Sequence, residues 1–241
     1  MEVQHMKRWF SIFVIISILF VMCSCNNELP NNDDSEFTEQ DYMSAVRSKD
    51  SVDEFMTVAG NMQGDGLLSG FTFTEENCYN VTPVQVAAAI NLKIFKFSDS
   101  CASFALIDGE IHPICSSFGG YGFVNAVPCD FDNDGNIDLL IASSWGSGLH
   151  RSQISVFNTK TKESTVIYDT FDTDNPQIDL FVATAGSSFS SKAPLPIYYH
   201  IYSAKIKVND NNLADLSYAA ADMIGSVEFE NGAIVFKAAD D

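Results

Sequence analysis

Asp130-Phe131-Asp132-Asn133-Asp134-Gly135-Asn136-Ile137-Asp138 places four carboxylates within nine residues. Gly122-Phe123-Val124-Asn125-Ala126-Val127 leads into it, and Ile137-Asp138-Leu139-Leu140-Ile141-Ala142 leads out; both read as strands. The chain must therefore turn sharply between two apolar strands while holding clustered acids at the turn. The pattern D-x-D-x-D-G-x-x-D suits that task. Alternate side chains of a tight loop converge on one point, and Gly135 permits the bend that follows them. Without a cation the four charges repel one another. Calcium takes roughly six to eight hard oxygens. Asp130, Asp132 and Asp134 supply the first of them, Asn136 offers its backbone carbonyl, and Asp138 closes the shell. The loop contains no Cys or His, so zinc and other soft metals fit poorly.

The helix–loop–helix calcium loop is not satisfied. Its final position, an acid, is Ile141 here, and a strand stands where a helix is required. Strand, acidic loop, strand instead resembles the FG-GAP/VCBS repeat, which builds blades of integrin-α-like β-propellers. The resemblance implies a calcium loop joining the first two strands of a four-stranded unit at about 120–168. Gln153–Phe157 and Ser164–Tyr168 would be its third and fourth strands. An echo follows in Phe171-Asp172-Thr173-Asp174-Asn175-Pro176-Gln177-Ile178-Asp179-Leu180. Asp179 lies 41 residues past Asp138, within the blade repeat of roughly 40–45. Asn175-Pro176 replaces the glycine there, which leaves calcium at Asp172, Asp174 and Asp179 open. A fainter echo spans Asn209 to Leu216. The chain is too short for a full propeller. The expected fold is mainly β: a small or incomplete propeller-like domain, or a β-sandwich that borrows the loop.

Before this domain the grammar differs. Lys7 and Arg8 precede an apolar run from Trp9 to Met22, shorter than the roughly 20 residues a spanning helix needs. A basic segment before a short apolar one reads as a signal peptide over 1–24. Ser24-Cys25 then resembles a bacterial lipoprotein signal, which implies lipidation of Cys25 and an extracytoplasmic protein anchored in the cell membrane. The alternatives are an ordinary cleaved signal or an uncleaved anchor. Residues 25–36 are polar and read as a tether. One or two short helices are expected over 37–62, from Thr38 and Ser51 as caps and loosely helical apolar spacing. The β domain then occupies 63–241, and Val227–Phe236 around Asn231-Gly232 is its clearest hairpin.

Charge narrows the partners. The net charge is −19, and residues 1–24 carry +1, leaving −20 on the remainder. Nucleic acid is thereby excluded as a partner, being itself a polyanion. Yet 46% of residues are hydrophobic and Phe numbers 19, so a core can form.

Cys78, Cys101, Cys115 and Cys129 make an even set, and exported chains use such sets for disulfides. A three-residue turn Ile107-Asp108-Gly109 would pair Leu106 with Glu110 and set Cys101 opposite Cys115, leaving Cys78 for Cys129. A two-residue turn slips the register and removes the argument. Reduced thiols remain open. Trp145, His150 and Arg151 follow the acidic loop's exit strand and can contact a ligand. A turn with Trp145 packed and two polar residues in water explains them too. His112 and His200, alone on strands, read as structural. The preferred reading is a calcium-stabilised, surface-anchored module that binds a protein or carbohydrate and is not an enzyme. The alternative is an extracytoplasmic hydrolase acting on a glycan or ester near Trp145, His150 and Arg151.

Overall fold

A computed structural model describes residues 48–62, 74–115, 118–184, 199–211, 213–230 and 233–239. The leader, Cys25, the tether and the Thr38 cap lie outside them, as does the Asn231-Gly232 turn. Among the described residues no helix is long and apolar enough to cross a membrane.

Among the described residues the fold is mainly β, with two α-helices and three four-stranded antiparallel sheets. In each sheet the strands follow chain order, so every sheet is a meander. The first holds β1 (Cys78–Asn80), β2 (Leu92–Phe97), β3 (Ser103–Ile107) and β4 (Glu110–Pro113). The second holds β5 (Gly122–Cys129), β6 (Asp138–Trp145), β7 (Arg151–Asn158) and β8 (Glu163–Asp169). The third holds β9 (Asp179–Thr184), β10 (Tyr199–Val208), β11 (Ala214–Glu230) and β12 (Ala233–Ala238). A 3-10 turn, Thr170–Asp172, links the second sheet to the third.

The layers stack in chain order. Helix α1 (Val52–Asn61) buries Val52, Phe55 and Ala59, one stripe at helical spacing, against the first sheet. Phe55 lies 4.5 Å from Phe95, ring centre to ring centre, and also meets Phe97 and Phe104. Leu92, Ile94, Ala105 and Ile107 of the first sheet meet Phe123, Leu139, Ile141 and Phe157 of the second. On the second sheet's opposite face, Val124, Leu140, Ala142, Ile154 and Val156 meet Leu180, Val182, Ile201 and Tyr202. Both faces of the second sheet are thus covered over β5–β7, while β8 stays largely exposed. That explains why β5 and β6 read as continuous apolar runs rather than alternating ones.

Several expectations change. Asp108 and Gly109 both have positive φ (55° and 77°), and Ile107 pairs with Glu110, so the β3–β4 turn has two residues, not three. The register behind a Cys101–Cys115 pairing is therefore not formed. Cys78 belongs to the helix–first sheet core and Cys129 to the core between the second and third sheets. The structure holds all four as thiols. The 41-residue echo is not a blade repeat. Asp138 opens the second strand of its sheet, whereas Asp179 opens the first strand of the next. Ser51 precedes α1 but its side chain makes no cap. Helix α2 (Val84–Ala89) was not expected. Its Pro83 start and alanine run are a recognisable signal. The Val227–Phe236 hairpin stands as read: Val227 pairs with Phe236, and Phe229 with Ile234.

Candidate metal centre and neighbouring surface

The acidic loop joins β5 to β6, where Cys129 pairs with Asp138. Its backbone folds around its own carboxylates. The N–H groups of Asp134 and Gly135 donate to Asp130 Oδ1 and Oδ2, each at 3.1 Å. Asn133 and Gly135 adopt positive φ (55° and 83°), the conformation that Asn and Gly tolerate best. One ligand oxygen from each of Asp130, Asp132 and Asp138 lies within 4.8 Å of the others. These three can hold a metal ion.

Asp138 is the buried member, 1% exposed. Its Oδ1 accepts the Thr159 N–H at 2.8 Å, while its Oδ2 is buried and has no hydrogen-bond partner. Burial pushes its carboxyl up to about 6, reinforced by the charges of Asp132 and Asp134 and opposed by Thr159. Leaving a buried carboxylate oxygen unpartnered costs free energy, and a cation removes that cost. The donor set fits a hard cation.

Asp134 stands outside the three-carboxylate group. Its Oδ1 accepts the Asn136 N–H at 2.8 Å, and Lys160 Nζ reaches its Oδ2 at 3.2 Å. The Asn136 hydrogen bonds, with Lys160 behind them, hold the Asp134 carboxyl below its usual range.

The turn between β7 and β8 supports the loop, a role that the sequence reading missed. Thr159 Oγ1 donates to the Ile137 carbonyl at 2.7 Å, and Asn158 Nδ2 donates to Asp132 Oδ2 at 3.3 Å. Asn158-Thr159-Lys160 reads as an ordinary polar turn, and only the β6–β7 pairing brings it beside the acids.

Trp145, His150 and Arg151 gather at the other end of β6 and β7. Trp145 pairs with Arg151 across the strands. The Arg151 guanidinium lies 4.6 Å from the Phe171 ring centre and 5.4 Å from that of Trp145. His150 Nε2 is 2.8 Å from Asp179 Oδ1, and its ring meets Tyr121 at 4.8 Å. Asp179 Oδ2 accepts the Ile206 N–H at 2.9 Å, so this carboxylate is committed to His150 and β10. Clefts of about 390 and 410 Å³ lie elsewhere, the larger between the β3–β4 turn and the β7–β8 turn.

Comparison with protein families, with curated proteins and with solved structures finds no match.

Proposed function

We propose that the chain is a lipid-anchored, extracytoplasmic β module stabilised by calcium, with a binding or scaffolding role. The observation that carries the calcium reading is the orphaned, buried Asp138 Oδ2 beside Asp130 and Asp132. Hard oxygen donors and the FG-GAP/VCBS-like loop pattern favour Ca²⁺ over softer ions. Asp130, Asp132 and Asp138 would hold the ion, with Asp134 and Asn136 as the further donors that the pattern offers. Calcium there would neutralise clustered charge and tie β5 to β6. It would do no chemistry. The anchor reading rests on the leader and Cys25, and the partner is a protein or carbohydrate, not nucleic acid.

The test is thermal melting in calcium and in EDTA, with elemental analysis of the purified protein. A higher midpoint in calcium and bound calcium near one per chain are expected. An identical midpoint with no bound calcium sinks the reading. For the anchor, metabolic labelling with a palmitate analogue should mark the wild type and not Cys25→Ala.

One observation favours the hydrolase alternative: His150 is oriented by a carboxylate, the arrangement that a general base requires. A panel of glycan and ester substrates tests it, and turnover abolished by His150→Gln would establish it in place of the binding role.

A further inference from the structure

The turn between β7 and β8 reaches the acidic loop with three consecutive residues, and each meets a different acid. Asn158 Nδ2 donates to Asp132 Oδ2 at 3.3 Å, the Thr159 N–H to Asp138 Oδ1 at 2.8 Å, and Lys160 Nζ to Asp134 Oδ2 at 3.2 Å. Asn158 also fixes the turn itself, its Oδ1 accepting the N–H groups of Lys160 and Thr161 at 2.9 and 2.8 Å. The first two contacts come from neutral donors, which a carboxylate can keep while it holds a cation. The third comes from a cation.

Asp130, Asp132 and Asp138 give the centre three carboxylates, and calcium takes roughly six to eight oxygens. The buried, unpartnered Asp138 Oδ2 points to an ion there independently of the loop's charge. Asp134 is the loop's remaining carboxylate, and both its oxygens are engaged. Oδ1 accepts the Asn136 N–H at 2.8 Å, and Oδ2 accepts Asn136 Nδ2 at 2.6 Å as well as Lys160. An ammonium and a divalent ion on one carboxylate repel each other across about 4 Å. The ammonium is the one that can leave. The Lys160 side chain is 68% exposed, and ion pairs of that kind are weak. Beside it lies the cleft of about 410 Å³, lined in part by Asn91, Asp108, Asn136 and Lys160.

We infer that Lys160 is a built-in competitor for the ion: it neutralises Asp134 when no calcium is bound, and calcium displaces it into this cleft as Asp134 joins the shell. The inference rests on the calcium reading proposed above and deepens it. Lys160 thereby sets the loop's affinity below what its four carboxylates would give. It also limits the repulsion among those acids at low calcium, so the turn between β5 and β6 holds. Lys162 lines the same cleft but pairs with Asp108 at 2.7 Å, away from the loop, and takes no part in the exchange.

Isothermal titration of the full chain in detergent with calcium, read beside thermal melting in EDTA, tests it. Lys160→Gln is expected to tighten calcium binding by about two- to fivefold, the worth of an exposed ion pair, while lowering the midpoint in EDTA. Lys160→Arg should behave like wild type, and Lys162→Gln should leave calcium affinity unchanged. In an Asp134→Ala background Lys160→Gln should no longer tighten binding, because the contested carboxylate is gone. Unchanged or weaker binding by Lys160→Gln overturns the inference. Equal tightening by Lys162→Gln, or equal tightening without Asp134, also overturns it, since the lysine would then act only through its long-range field. If wild type binds calcium and the variants respond in one of these ways, the calcium reading stands and the competition falls. If wild type binds no calcium, both fall.

Discussion

Asn125 of β5 hydrogen-bonds both backbone groups of Val182 on β9. Its Nδ2 donates to the Val182 carbonyl at 2.7 Å, and its Oδ1 accepts the Val182 N–H at 3.1 Å. The amide thus imitates a strand neighbour and joins the second sheet to the third in a fully buried place. It lies where the β5–β6 register shifts, between Phe123 and Asn125. Asn125→Leu keeps the branched shape but strands two buried backbone groups. Each orphan costs about 1–3 kcal/mol, so a loss of about 2–6 kcal/mol is expected in urea unfolding. Wild-type stability in Asn125→Leu would show that the bridge contributes nothing net.

On the proposed calcium binding, a hundredfold excess over the Kd would add about 2.7 kcal/mol. For a domain of this size that raises the melting midpoint by about 5–10 °C. Asp138→Asn and Asp130→Ala should each abolish the rise. Asp134→Ala should reduce it less, since Asp134 is held by Lys160 and Asn136 apart from the other three. A calorimetric scan of the four proteins in calcium and EDTA separates these outcomes.

Phe55 is the only aromatic that α1 sends into the first sheet, and it is fully buried among Phe95, Phe97 and Phe104. Phe55→Ala leaves a cavity between helix and sheet and should cost about 3–5 kcal/mol. Phe55→Leu should cost less. Denaturant midpoints measure both.

Gly122 has φ 70°, and an added Cβ would stand 2.0 Å from the Cys101 carbonyl oxygen. Backbone rather than a pliable side chain is the obstacle. Gly122→Ala combines conformational strain with overpacking and should lose about 2–5 kcal/mol. Gly148→Ala, also at positive φ but with open space around its Cβ, should lose less than Gly122→Ala.

Burial pushes the thiols of Cys78 and Cys115 up to about 12, from an ordinary value of 9.0. In the folded chain they keep their protons where the unfolded chain has released them. Between those two values the folded state binds more protons, so stability falls as pH rises above about 9. Below that range the thiols contribute no slope. Maleimide labelling at pH 8 should reach the fully buried Cys78 only after denaturation, and the partly exposed Cys115 before it. Rapid labelling of Cys78 in the native state would contradict its burial.

What the sequence made legible follows the range of the interactions. The strands around the acidic loop were readable because apolar runs and turn residues are local signals. The loop itself was readable because its spacing is a ligand geometry written in consecutive residues. The length of the Asp108-Gly109 turn was not settled by composition, since two- and three-residue turns both accept that pair; positive φ at both residues decides it. The echo at Asp179 matched in spacing and misled, because similar acidic segments serve at a loop between strands and at a link between sheets. Thr159 and Asn125 carried no readable signal. Their roles depend on partners 21 and 57 residues away, brought near only by strand pairing and sheet stacking.

The covering of the second sheet on both faces also bears on how the chain assembles. Each meander pairs neighbouring strands, and in the second sheet the pairings form over short loops that cost little closure entropy. A nascent chain can thus complete its layers one after another from the N-terminal side. Once β8 has formed, the face bearing Leu140, Ile154 and Val156 has nothing to meet until β9 and β10 arrive. That interval is the assembly pathway's most aggregation-prone moment, and chains stalled or truncated after β8 should be the ones that recruit chaperones.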